Sequence, residues 1–170
     1  MTDWVEPLRE LFIKEIDAYQ KLLGLELQKK EAIKEADGKL LQSLVKESYH
    51  IMVEASELER VRMKTIEEIY RLQDFEKGEQ GITLSNFLNQ MDRESNFQLK
   101  GSTHQLKSIV QSLKEAILTN EKLLNNRKDF LNHTLETMKE NSKERVYEKP
   151  NPKKKKGQGS QGSLMLNATA

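Results

Sequence analysis

The best candidate for metal chemistry lies near the middle of the chain. The run Glu47-Ser48-Tyr49-His50 has the E-x-x-H spacing, which places a carboxylate and an imidazole on one face of a helix, as in di-iron bundles. Such a site needs a second copy of the motif and two further inward-facing glutamates. At the same spacing His104 follows Gly101 and His133 follows Phe130, so there is no second copy. The pattern therefore favours a solvated or interhelical histidine over a metal ligand.

The residues needed for other enzyme chemistry are also missing. The chain contains no Cys, which excludes disulfides, thiolate metal sites and cysteine nucleophiles. It contains neither a Gly-rich phosphate loop nor a serine in a nucleophile elbow, and its three histidines are scattered. We therefore expect a protein that is not an enzyme and that binds no cofactor and no metal.

A run of four lysines, Lys153, Lys154, Lys155 and Lys156, could bind nucleic acid through phosphate charge. Residues 148–170 contain one acid and five lysines, so a basic tail follows a mildly acidic body although the whole chain carries only +1. The tail has no aromatic residue to stack on a base. The sequence therefore favours a solvating extension or a protein-docking segment over nucleic-acid binding.

Composition indicates which kind of element must position these residues. Charged residues make up 32% of the chain, hydrophobic residues 36% and aromatic residues 6%. That apolar fraction is low for a globular core but sufficient for long amphipathic helices, which bury one stripe each. The first ten residues are acidic without an apolar run, and no segment resembles a membrane span. We expect a soluble, cytoplasmic, mostly helical protein.

Breakers and apolar periodicity divide the chain into helices. Pro7 is tolerated only in a first turn, so the first helix should begin around Trp4 to Pro7, and Asp37-Gly38 should end it and cap the next. The second helix is expected over about 39–73, which contains no Gly or Pro. The segment 75–81 is predicted to be a turn.

The second half of the chain should hold one short and one long helix. Thr83 or Ser85 can cap the short one. Residues 92–101 are polar and are predicted to be a loop. Ser102-Thr103-His104-Gln105 fits a capping box and predicts the start of a helix that continues to Tyr147.

These elements predict an all-α fold, an elongated antiparallel bundle of three long helices plus one short helix. Residues 1–147 are expected to form the helical domain. Residues 148–170 are expected to form a tail, in which Pro150 and Pro152 forbid helix and the basic, Gly/Ser-rich composition predicts disorder. A small apolar group, Leu164-Met165-Leu166, lies near the end of that tail and is of a kind that orders on a partner.

Two polar residues interrupt the apolar stripe of the last helix. Asn120 and Arg127 fall on it, and a polar residue in a helical seam commonly fixes register. The alternative is that this part of the helix is not covered within the monomer. An exposed stripe of apolar side chains would then suit another amphipathic helix; its members are Leu124, Phe130, Leu131, Leu135 and Met138.

Four segments of the chain form a recognisable combination. Three of them are Leu22-Leu23-x-x-Glu26 with Glu31-Ala32-Ile33 and Asp37, Leu58-Glu59-x-x-Arg62, and Asn120-x-x-Leu123-Leu124 followed by Leu135 and Met138. In the fourth, Tyr147 directly follows the predicted last helix, and a basic Gly/Ser-rich tail follows it. Together, over essentially the whole chain, these segments resemble the FlgN-type flagellar export chaperones.

This resemblance implies a cytoplasmic chaperone that holds the hook–filament junction proteins FlgK and FlgL and delivers them to the flagellar export gate. It also implies an export-gate contact at Tyr147, although Glu148-Lys149-Pro150 follows here instead of the family's glycine turn. The implied cargo-binding residues are Asn120, Leu123, Leu124, Phe130, Leu131, Leu135 and Met138.

Two other functions stay open at this stage. The helical stripes could serve a coiled-coil adaptor that acts by self-assembly, or the chaperone could carry another flagellar cargo such as the filament cap. The sequence is compatible with a homodimer. A discrete small species in size-exclusion chromatography would favour the chaperone, and a concentration-driven series of oligomers would favour the adaptor.

Overall fold

The structure is a computed structural model that describes residues 4–143. Over those residues it consists of four α-helices without a β-strand: α1 Val5–Lys34, α2 Gly38–Gln73, α3 Leu84–Gln90 and α4 Arg93–Lys143. The predicted all-α class, with three long helices and one short one, is confirmed. Tyr147, the lysine run and the predicted tail lie outside the described residues.

Most of the predicted helix boundaries are confirmed. Pro7 lies in the first turn of α1, where its missing N–H leaves no hydrogen bond unmade. The Asp37 carboxylate accepts from the Leu40 amide at 3.0 Å and caps α2. The Thr83 hydroxyl accepts from the Asn86 amide at 3.1 Å and caps α3. Gly81 adopts φ 81° in the preceding turn, a conformation that favours glycine.

The predicted loop over 92–101 is wrong, and so is the predicted helix start at Ser102. This segment forms the first turns of α4, which begins at Arg93. The Asp92 carboxylate accepts from the amides of Glu94 and Ser95, at 3.1 and 2.9 Å, and so supplies the cap. Leu99 is completely buried and holds these turns against the core. Ser102 lies inside the helix, where its hydroxyl donates to the Leu99 carbonyl.

The core lies mainly along α1, which packs against both α2 and α4. The short α3 lies against α4 and stacks the ring of Phe87 on that of Tyr70, with 5.8 Å between centroids. The largest fully buried apolar side chains come from all four helices: Leu8, Phe12, Ile66, Phe87, Leu99, Leu106 and Leu113.

Long-range contacts give the helix directions. Arg62 of α2 contacts Glu15 of α1, and the turn at Asp37 joins the opposite ends of the same two helices, so α1 and α2 are antiparallel. Asn120 of α4 contacts Glu26, and Arg127 contacts Lys34, so α4 runs parallel to α1. The three long helices therefore run up, down and up.

A buried ion pair fixes the register of α1 against α2. The Arg62 Nε donates to Glu15 Oε1 at 2.7 Å, and both side chains are almost wholly inaccessible. The guanidinium also lies 5.9 Å from the centroid of the Phe12 ring. Truncating either side chain leaves a buried polar group of the other without its hydrogen-bond partner, which typically costs about 1–3 kcal/mol. The pair therefore constrains the two helices to one alignment.

Candidate functional site

The last helix is longer than the helix against which it packs. Arg127 Nη2 donates to the carbonyl of Lys34, the last residue of α1, while α4 continues to Lys143. From Lys128 to Lys143 every side chain is exposed except that of Thr134, which is half-buried. We call residues 128–143 the arm. At 1.5 Å per residue the arm extends roughly 24 Å beyond the end of α1.

The arm carries forward the face of α4 that is buried in the bundle. Leu106, Val110 and Leu113 lie on that face and are at most 3% exposed. Helical spacing continues the same face through Leu124 and then, in the arm, through three more apolar residues, which we call the arm stripe: Leu131, Leu135 and Met138. Exposure rises from 43% at Leu124 to 64% at Met138. The apolar pattern of α4 therefore continues beyond the part of the helix that is buried against the bundle.

Two further residues that were predicted to bind cargo flank this face, near the start of the arm. Leu123 is half-buried, and Phe130 is 69% exposed. Together with Asn126 and Arg127 they line an open concavity of about 260 Å³. A concave apolar surface beside an exposed stripe can accept an apolar side chain of a partner.

Asn120, the remaining predicted cargo-binding residue, lies inside the bundle. It is only 5% exposed, and its amide donates at 2.8 Å both to the Glu26 carbonyl oxygen and to Glu26 Oε2. Glu26 Oε1 in turn accepts from Lys29 Nζ at 2.5 Å. Asn120 therefore joins α4 to α1 just before the arm, which matches the role of a polar residue that fixes register.

The candidate metal motif does not form a site. Glu47 and His50 are both exposed on α2. Across residues 4–143 no cluster of three His, Asp or Glu side chains is placed to hold a metal ion. The strongly perturbed acid is instead Glu15, where burial raises the pKa to about 7 against the lowering effect of Arg62. Glu15 is fully enclosed between helices, so its environment serves packing and not catalysis.

Comparison with known proteins identifies the family. The model of the FlgN protein family matches residues 1–154. The chain belongs to the FlgN family. No curated protein and no solved structure gives a significant match.

FlgN proteins are cytoplasmic, non-enzymatic export chaperones for the hook-associated proteins FlgK and FlgL. The predicted family, function and compartment are therefore confirmed. None of the helices over the described residues is long and apolar enough to cross a bilayer.

The structure explains one motif of the FlgN resemblance. In Leu58-Glu59-x-x-Arg62, the arginine reaches across to Glu15 and lies 4.0 Å from Glu59. Through Arg62, this motif therefore aligns α1 with α2.

Sequence reasoning missed Glu15 and Glu26 as partners in buried contacts. The available signal was their position, because each lies on the apolar stripe of α1, next to Ile16 and to Leu25. A charged residue on a buried helical face needs a partner of opposite charge or a hydrogen-bond donor. Which residue provides it depends on the helix registers.

Proposed function

We propose that this FlgN-family chaperone holds its hook-associated cargo on the distal part of α4. The observation that carries the proposal is the stripe of apolar side chains that continues past Lys34, where α1 ends, and stays exposed over the arm. Apolar patches of this kind on a soluble protein commonly mark protein-interaction sites. The residues proposed to contact cargo are Leu123, Leu124, Phe130, Leu131, Leu135 and Met138.

The shape of the arm favours an amphipathic helix as the segment of cargo that binds. A single helix with one apolar stripe can pair with a second helix that carries apolar residues at the three–four spacing. Leu131, Leu135 and Met138 provide such anchors, at successive spacings of four and three. The proposed surface does not include Asn120, whose side chain is buried against Glu26. In this proposal it orients the arm instead of contacting cargo.

The proposal is tested by placing charges on the stripe. Leu131→Asp with Leu135→Asp should raise the dissociation constant for FlgK at least about 100-fold. Loss of each central interface residue costs about 2 kcal/mol or more, and a hundredfold change needs about 2.8 kcal/mol. Both positions are more than half exposed, so the bundle should stay folded. Isothermal titration gives the affinity, and far-ultraviolet circular dichroism checks the helix content.

The matched control places the same charges on surfaces that the proposal does not use. Leu118 and Leu27 are each 54% exposed, close to the 59% of Leu131. Leu118→Asp with Leu27→Asp should leave the affinity within about twofold of wild type. Equal losses in the two double variants would remove the stripe as the specific site.

We further propose that Tyr147 contacts the export gate. In sequence it lies four residues beyond Lys143, where the described part of α4 ends, and therefore beyond the arm stripe. Tyrosine is a common interface anchor because it combines a large ring with a hydroxyl. Tyr147→Ala should weaken binding to the soluble domain of the gate protein and leave FlgK affinity nearly unchanged. Titration of FlgK and of the gate domain against the wild type and against Tyr147→Ala tests this separation. Equal gate affinities would leave the lysine-rich tail as the next candidate.

Self-association is the competing use of the same stripe. Two arms could cover one another, giving a homodimer or a series of larger species. Light scattering coupled to size-exclusion chromatography should show a discrete small species whose mass stays constant over a hundredfold range of concentration. A mass that rises continuously with concentration would favour a self-assembling adaptor.

A further inference from the structure

The arm stripe faces solvent over the described residues, while the same chain continues beyond Lys143 through residues 144–170. We propose that, in the absence of cargo, the apolar group Leu164-Met165-Leu166 of the same chain docks on the arm stripe. The stripe would then have an internal occupant that cargo must displace.

The length of the connecting chain suits this contact. Lys143 lies about 18 Å along the helix from Leu131 and about 8 Å from Met138, at 1.5 Å per residue. Residues 144–163 separate Lys143 from the apolar group. With the predicted helix end at Tyr147, the remaining 16 residues would, as a coil, have a root-mean-square end-to-end distance of about 22 Å; all 20 residues as a coil would have about 25 Å. The group can therefore reach any part of the stripe without stretching the connection.

The composition of the tail makes these three residues the fitting occupant. From Glu148 to Ser163 the sequence consists of polar, charged, Gly and Pro residues, and Leu164-Met165-Leu166 is the first apolar group after them. The following four residues, Asn167 to Ala170, carry no charged side chain, and Lys156 lies eight positions before Leu164. The group can thus approach an apolar face without bringing a charged side chain into it, which would be costly to desolvate.

Such a contact is weak in itself and gains from being intramolecular. A short flexible connection gives an effective concentration in the millimolar range, greatest when its average length matches the span. A three-residue apolar group with a dissociation constant of about 1 mM would then occupy a large share of the free stripes. Competition of this kind lowers the apparent affinity for cargo about two- to tenfold. This last step rests on the proposed cargo site, whereas the docking itself does not.

The docking can be measured without cargo, because the chain has no Cys and accepts a single label. Asn167→Cys in the full chain carries a nitroxide, whose electron spin broadens the amide resonances of nearby residues. The test variant adds Leu164→Ser, Met165→Ser and Leu166→Ser. A sample that mixes isotope-labelled protein without nitroxide and unlabelled protein with nitroxide detects contacts between different copies.

The expected result is broadening of the amides of residues 128–138 that falls at least twofold in the triple-serine variant and is absent from the mixed sample. Equal broadening with and without the apolar group would overturn the proposal, since any attached tail passes near the arm. Broadening in the mixed sample would overturn it in favour of an occupant from a second copy.

Titration with FlgK then tests the competition. The triple-serine variant, without the label, should bind FlgK two- to tenfold more tightly than the wild type, and an unchanged affinity would overturn the competitive role. If neither the wild type nor the triple-serine variant binds FlgK, the proposed cargo function is rejected. The nitroxide result would still decide whether Leu164-Met165-Leu166 docks on the arm stripe.

Discussion

The buried pair of Glu15 and Arg62 should make the stability of the bundle depend on pH. Burial is the largest influence on Glu15 and raises its pKa from 4.5 to about 7, while the Arg62 charge and its hydrogen bond act in the opposite direction. In the unfolded chain the carboxyl titrates near its ordinary value. The folded state therefore binds the proton more tightly than the unfolded state does, and the stabilisation is complete below pH 4.5 and is lost as pH rises through 7.

The size of the effect follows from the two pKa values. A rise from 4.5 to about 7 corresponds to a free energy on the order of 3 kcal/mol. The free energy of unfolding should therefore fall between pH 5 and pH 8 by a large part of that amount. Burial also raises the pKa of Glu59, which adds a contribution of the same sign.

Urea denaturation, followed by circular dichroism at pH 5 and pH 8, measures this fall in stability. In Glu15→Gln the fall should be much smaller, because the amide keeps the shape and loses the titration. Glu57→Gln is the control. Its carboxylate is exposed and paired with Arg60, which lowers its pKa, so its titration lies below this pH window. A wild-type stability that rises with pH, or an equal fall in Glu15→Gln, would refute the assignment of this pH dependence to Glu15.

Two further predictions concern the helices themselves. Gly24→Ala should raise the free energy of unfolding by up to about 1 kcal/mol, since Gly24 lies inside α1 with no atom within 4 Å of the added Cβ; an unchanged or lower urea midpoint would contradict this. Asp92→Ala should cost about 1 kcal/mol because it removes the cap of α4, whereas Ser102→Ala should change stability by less than about 0.5 kcal/mol. Thermal melts of both variants show which loses more stability. A larger loss of stability in Ser102→Ala than in Asp92→Ala would indicate that the helix begins at Ser102, as the sequence predicted.

The long helices could be predicted because single residues mark their ends. Pro7 and the Asp37-Gly38 pair act locally, through a missing N–H and a side-chain cap, so no knowledge of the rest of the fold is needed. The start of α4 was missed for the opposite reason. The residues over 92–101 are mostly polar and contain one buried apolar position, Leu99, so they show no apolar period. The Asp92 side chain caps α4, whereas the capping-box pattern at Ser102 lies inside the helix.

The candidate site was partly predictable for a similar reason. The apolar stripe is a periodic property of one helix, so its continuation through Leu135 and Met138 is visible in the sequence. Where its cover stops depends on how far α4 is shifted along α1, and that register is set by contacts between residues far apart in the chain. Asn120 illustrates this, because its burial follows from Glu26 on another helix and not from its own neighbours.

The central claim, that cargo occupies the stripe on the arm, is tested most directly by hydrogen exchange of the chaperone with and without FlgK. Without cargo, amides of the arm should exchange faster than those of the bundle, because no other helix packs against residues 128–143 in the described structure. With saturating FlgK, exchange should become slower over 123–143 and change little in α1. Unchanged exchange in the arm, with new protection around the exposed Val45, Tyr49 and Val53 of α2, would show that cargo binds a different helix and not the arm.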